Sequence, residues 1–398
     1  MGTFKSAEEF LRLHSPVRPV LGLRPHAARR AARWFQHHFP GKTLYAVKAN
    51  PMPIIIDALY KEGIRDFDVT SMPEVEQMAA FPQVTLYFMN PVKSRATIAK
   101  AYYEYGVRIF ALDCRAELEK ISEATGAARD LTLFVRIACE GRGSRIPLAR
   151  KFGADPDEVV DLLLAARSSA ERLGVSFHVG SQAMEPCRYR EAMHHIDALI
   201  VESGVLPDII DVGGGFPSAY TNLSPPPLGH YVSEIKGCFD SMNVFETCEL
   251  ICEPGRALVA EASSVIARVE LRRGGALYLN DGAFGSLFDA AHFGFVYPVV
   301  LLPQAPRSTG ALKPFLFYGP TCDSFDLMPG PFYLPGCVRE GDFIEIGQLG
   351  AYGHVLGTRF NGHGLYDEVI LRDEPMMTMY GGLDGREDVE CVAGSESC

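Results

Sequence analysis

Residues 42–49 read KTLYAVKA, and Asn50 follows. Leu44, Tyr45, Ala46 and Val47 form an apolar, β-prone run that ends at Lys48. A strand buried on both faces has no place for an idle ammonium, because desolvating the charge is costly. The run is the first of eight. FDVTS (67–71), VTLYFMN (84–90), VRIFALD (107–113), LTLFVRIA (131–138), VSFHVGS (175–181), IIDVGGGF (209–216) and ELICEPG (249–255) read the same way. Between them lie helical stretches such as PIIIDALYKEG (53–63), RAELEKISEA (115–124) and PDEVVDLLLAARSSAERLG (156–174). Continuous apolar strands alternating with amphipathic helices predict a closed (β/α)₈ TIM barrel. A doubly wound open sheet is the competing arrangement.

The texture changes after about residue 260. SSVIARVELRRG (263–274), ALYLND (276–281), PFLFYGPTC (314–322), DFIEIG (342–347) and DEVILRD (367–373) are β-like runs separated by Gly and Pro, with no comparable helices. They predict a mostly antiparallel β domain. The expected division is a barrel over 25–258 and a β domain over 259–380 completed by residues 1–24. Residues 381–398 are polar and are expected to be a flexible tail.

The chain has 398 residues, 47% hydrophobic and 22% charged, and a net charge of −11. The negative balance argues against nucleic acid or an anionic membrane as partner. None of the ten cysteines forms a CxxC pair. Neither a metal site nor a disulfide framework is expected, and the thiols should be reduced. The start MGTFKSAEEFLRLH has no apolar signal core, and no segment has the length of apolar sequence a membrane helix needs. A cytoplasmic protein is expected.

Barrel active sites collect at the C-terminal ends of the strands. Those ends carry Lys48, Asp68, Asn90, Asp113, Arg136, His178 with Ser181, Gly213, Gly214, Gly215, and Glu253 with Arg256. Each has a bland explanation alone: a satisfied histidine, a tight glycine turn, a lysine snorkelling from a strand end. Together, on one face of one barrel, they predict a site. Three successive glycines let backbone N–H groups converge on an anion. Arg256 adds a cation where barrels often hold phosphate. A lysine, a phosphate cup and an inward acid, Glu253, suit pyridoxal 5′-phosphate. The lysine supplies the Schiff base, and the acid keeps the ring nitrogen protonated.

These residues lie in motifs, and the motifs carry a resemblance. YAVKAN (45–50), FHVGSQ (177–182), DVGGGFP (211–217), EPGR (253–256), GPTCDSFD (319–326) and GAYGH (350–354) occur in one order over nearly the whole chain. The sequence resembles the fold-type III, alanine racemase-like pyridoxal-phosphate enzymes, and among them the ornithine/diaminopimelate/arginine decarboxylase family. The resemblance implies that Lys48 carries the Schiff base, His178 stacks on the ring and Glu253 pairs with the ring nitrogen. It implies that Gly214, Gly215, Arg256, Ser181 and Tyr352 hold the phosphate, with Asp68 and Arg136 supporting Lys48 and the ring. It further implies a homodimer with shared active sites. Cys322 of the second subunit would return a proton to Cα, and Lys151 and Asp326 would pair across the two chains.

The substrate is read from the cysteine motif. Cys322-Asp323-Ser324 resembles ornithine and lysine decarboxylases, where the acid receives a distal ammonium, rather than the Cys-Glu-Ser of diaminopimelate decarboxylases. Phe360 matches a family aromatic near that pocket. The second distal acid of ornithine decarboxylases is missing, because the matching position falls at His292 or Phe293. Asp289, one helical turn earlier, is the available substitute. L-Ornithine to putrescine, a step of polyamine biosynthesis, is the leading expectation. Lysine or an atypical amino acid comes next, then diaminopimelate. A racemase normally has Arg at the ring nitrogen, so Glu253 argues against it. A non-catalytic regulatory homologue tends to lose the lysine or the phosphate cup, and both are present here.

Overall fold

The computed structural model describes residues 1–139, 143–148, 151–244, 246–308 and 310–381. Eight strands close a parallel barrel: Lys42–Ala46, Asp66–Val69, Thr85–Phe88, Ile109–Leu112, Thr132–Arg136, Arg172–Ser176, Ile209–Asp211 and Glu249–Cys252. The eighth pairs with the first through Ile251↔Lys42 and Cys252↔Thr43. Closure removes every sheet edge, which excludes the open doubly wound sheet.

Side chains alternate across each strand and so sort into two cores. Outward residues such as Tyr45, Phe67, Val135, Ile210 and Cys252 join the cluster beneath the surrounding helices. Inward residues Leu44, Tyr87, Met89, Ala111, Phe134, Ile209 and Ile251 fill the lumen as a separate apolar plug. Gly174 makes room for Phe134, since a Cβ there would lie 2.3 Å from its ring. The same alternation carried one step further along the strands points Asp68, Arg136, Asp211 and Glu253 inward, above the plug. The barrel is therefore greasy below and ionisable on top.

Two local expectations need correction. Lys48 is not in the strand: pairing ends at Ala46, and Val47–Ala49 form a 3₁₀ turn. Asn50 pins that turn, with its N–H on Val47 and its side chain on the Gly350 carbonyl at 2.7 Å. The helix expected over 156–174 spans only Val159–Ser169, and Arg172–Ser176 is the sixth strand. Leu173 and Val175 are buried there, and their strand pairs on both sides, with the fifth and seventh strands. Tertiary pairing overrides local propensity there.

The second domain is a nine-stranded sheet with its own core around Val265, Ala267, Val269, Leu277 and Phe317. Its long strand Ser263–Arg273 pairs antiparallel with Val20–Leu23, Ala276–Leu279 and Phe343–Ile346. Three pairings are parallel, among them Gly2–Phe4 with Asp367–Leu371. Residues 2–4 and 20–23 thus join the sheet from the other end of the chain. The expected tail beyond residue 381 lies outside the described residues.

Candidate active site

The ionisable layer opens into a cavity of about 330 Å³ lined by Lys48, Arg136, His178, Glu253, Arg256 and Tyr352, among others. Larger clefts of about 490 and 880 Å³ hold none of these side chains. Lys48 Nζ is ion-paired with Asp68 Oδ2, and Asp68 is fully buried. Burial works to lower the lysine's pKa. Asp68, then Glu253 and Tyr352, outweigh burial and raise it. The free lysine is thus held as an ammonium, contrary to the lowered pKa that burial alone suggests.

His178 lies between this pair and the glycine turn. Its Nδ1 accepts from the Gly180 N–H at 3.0 Å, and its Nε2 faces Gly214. Burial, with help from Arg136 and Lys48, pushes its pKa well down, so the ring is neutral. A neutral imidazole can lie flat against another ring without repelling a cation beside it. Glu253 is buried, and its Oε1 has no hydrogen-bond partner among the described residues. A buried acceptor without a donor is costly. A protonated ring nitrogen is a donor of the right kind.

Gly213 has φ +66°, and a Cβ there would lie 2.1 Å from the Phe177 carbonyl oxygen; Gly215 has φ +107° and a similar clash with Gly180. Only glycine fits these positions. Their turn leaves backbone N–H groups beside Ser181 and Arg256, whose guanidinium is 3.4 Å from Ser181 Oγ. Tyr352 stands over the same guanidinium, 5.0 Å from ring centre to Cζ. Asp289 requires a correction. It is not a substrate-facing acid: it is buried, and its Oδ2 accepts from Arg256 at 3.0 Å. Tyr220 Oη accepts from the other guanidinium nitrogen at 2.9 Å. Together they aim Arg256 at the glycine turn. Tyr220 is not legible in the sequence, where nothing but burial marks it.

The residues expected to meet the substrate's distal end, or to come from a second subunit, lie outside this cavity. Cys322 is exposed, and its N–H donates to Asn361 at 3.2 Å. Asp323 accepts from the Phe325 N–H within its own loop. Phe360 is exposed and packs on Phe284. His292 is exposed, bonded to the Phe288 carbonyl and stacked on that ring. Of the pair expected to bridge two chains, Lys151 lines the cavity, whereas Asp326 is buried and accepts from Ala283 and Thr321 in its own chain. Asp211 is an inward acid that the sequence reading passes over. It ends an apolar run just as Lys48 does, and the same reasoning finds it.

A barrel of this order, with a paired lysine, an unpartnered acid and a glycine–arginine cup, defines a fold-type III pyridoxal-phosphate decarboxylase. The family described as pyridoxal-dependent decarboxylase, pyridoxal binding domain, matches residues 25–260, and the chain belongs to it. It is 31% identical over 354 residues to a lysine/ornithine decarboxylase of Selenomonas ruminantium, covering 86% of this chain and 87% of the relative. Among solved structures, the lysine/ornithine decarboxylase of Vibrio vulnificus complexed with putrescine aligns with a TM-score of 0.77 at 30% identity, covering 92% of this chain and 99% of the other. The arginine decarboxylase of Paramecium bursaria Chlorella virus bound to agmatine aligns with a TM-score of 0.79 at 26% identity, covering 89% and 98%. The protein is a pyridoxal-phosphate-dependent decarboxylase.

Proposed function

We propose that the protein decarboxylates a basic L-amino acid, L-ornithine first, in a homodimer whose sites are shared between subunits. The observation that carries the reading is Asp323, placed next to Cys322 on an exposed loop away from its own chain's cavity. From a second subunit such a loop can close the cavity and set a carboxylate opposite a distal ammonium. A desolvated carboxylate discriminates strongly against substrates lacking that charge.

The residues divide the work. Arg256, Ser181, the glycine turn and Tyr352 hold the phosphate, and His178 covers the ring. Bound there, pyridoxal phosphate supplies an electron sink for the pair left when carbon dioxide departs. Glu253 keeps the ring nitrogen protonated. Asp68 holds the Lys48 ammonium in place until it gives up its proton and bonds to the cofactor, from which the substrate amine would then displace it. Cys322 of the second subunit returns a proton to Cα.

Lysine is the second reading, because the helix Phe288–Phe293 offers no free acid: Asp289 is spent on Arg256. Carbon dioxide release from ornithine, lysine, arginine, diaminopimelate and their D-forms tests both. The highest kcat/KM is expected for L-ornithine, with L-lysine following. Release from diaminopimelate alone overturns the role given to Asp323.

A further inference from the structure

Asp211 has no part in the proposed reaction, yet it is fully buried on the strand that pairs with the one leading to Glu253. The two strand ends are tied: Val212 N–H donates to Ile251, and Glu253 N–H donates to the Gly213 carbonyl at 2.8 Å. Asp211 Oδ1 accepts from the Gly213 N–H at 2.8 Å. Asp211 Oδ2 and Glu253 Oε1 are both buried without a partner among the described residues. The two carboxyls project inward from adjacent strands, Asp211 opposite Ile251 and Glu253 two residues further on. Two buried carboxylates so placed repel unless one of them carries a proton.

The charges around them lead to the same result. Among the described residues, Lys48 and Arg136 are the cations that act most on the pair, and Asp68 is the third carboxylate. His178 is neutral, and Tyr87, Tyr352 and Cys252, also nearby, are held protonated above their ordinary pKa values, chiefly by burial. Three carboxylates against two cations leave one surplus negative charge out of water, which is costly.

We propose that Asp211 and Glu253 share one proton in the cofactor-free protein, and that this proton passes to the ring nitrogen of pyridoxal phosphate when it binds. The inference rests on the reading of Glu253 as the ring-nitrogen partner. The balance is simple. One O–H bond breaks and one N–H bond forms, after which three ionised carboxylates face Lys48, Arg136 and the ring nitrogen. Asp211 is then a positioning residue, acting through Glu253 on its proton. Burial, first, raises the affinity of both acids for a proton, Asp68 adds to it in each case, and Asp211 is pushed up to about 7.

Infrared titration of the cofactor-free protein tests it. A protonated-carboxyl C=O band is expected at neutral pH in the wild type. It should be lost in Asp211→Asn, where Glu253 and Asp68 balance two cations. Adding pyridoxal phosphate should remove the band, while its 1-deaza analogue, with C–H in place of the ring nitrogen, should leave it. A wild-type protein without the band overturns the shared proton and leaves the Glu253 reading standing. A band that survives pyridoxal phosphate, with a Glu253→Gln variant of unchanged cofactor spectrum, overturns both. Should Asp211→Asn not fold by circular dichroism, the wild-type titration with the two cofactors decides alone.

Discussion

Lys48 is two residues past its strand, and that displacement matters. The turn Val47–Ala49 swings its amine over the lumen, where Asp68 takes it. Burial alone would lower the lysine's pKa. The ion pair instead keeps it protonated, so its proton has a defined place until the cofactor arrives. Asp68→Asn removes the first of the raising influences and shifts the balance toward burial. The pH midpoint for modification of Lys48 by an amine reagent in the cofactor-free protein should therefore fall. An unchanged midpoint would show that Asp68 does not govern the lysine. Lys48→Ala should abolish the visible absorption of the cofactor-loaded protein together with its activity. A retained band would remove Lys48 from the covalent role.

At the scale of elements, the site depends on what each strand end does after its last ladder bond. Gly213→Ala forces a Cβ to within 2.1 Å of a carbonyl oxygen at φ +66°. A loss of roughly 1–3 kcal/mol of stability and a clearly weaker hold on the cofactor are expected, measured by denaturant titration and by cofactor dissociation. Asp289→Ala strips the buried Arg256 of its carboxylate. Breaking such a pair costs about 3–5 kcal/mol, and here inorganic phosphate should recover part of the melting temperature, since the anion replaces the missing charge. No recovery would place Arg256 away from the phosphate. The strands and most helices are legible in the sequence because period and apolar runs report burial directly. The helix before the sixth strand reads too long, because AERLG continues a helical pattern while Arg172–Ser176 pairs on both sides. Asp289 misleads for a related reason: its helix is legible, but which of its faces meets Arg256 is set by how the barrel and the second domain pack.

At the scale of the molecule, Asp211, Glu253 and Asp281 hold protons to higher pH folded than unfolded. Asp211 is pushed up to about 7 and Asp281 to about 6, each chiefly by burial. The folded state then binds more protons than the unfolded one, so their contribution is most favourable below the ordinary carboxylate range and declines as pH rises through about 7. The cofactor-free protein should lose thermal stability across that window, and Asp211→Asn should flatten the slope. The larger consequence concerns where Cys322 acts. It is exposed in its own chain, as is Phe325 three residues on, while Lys48 lies in the barrel. If the loop works only in a neighbour's cavity, two damaged subunits can repair each other. Lys48→Ala should be inactive alone, and Cys322→Ala should turn over slowly or give misprotonated product. In a hybrid dimer one cavity combines both lesions, and the other combines an intact Lys48 with an intact Cys322. Mixing the two variants under conditions of subunit exchange, followed by native mass spectrometry, should therefore restore normal product at wild-type turnover per intact cavity. Hybrids that form without such recovery would place Cys322 in the cavity of its own chain, or outside the reaction.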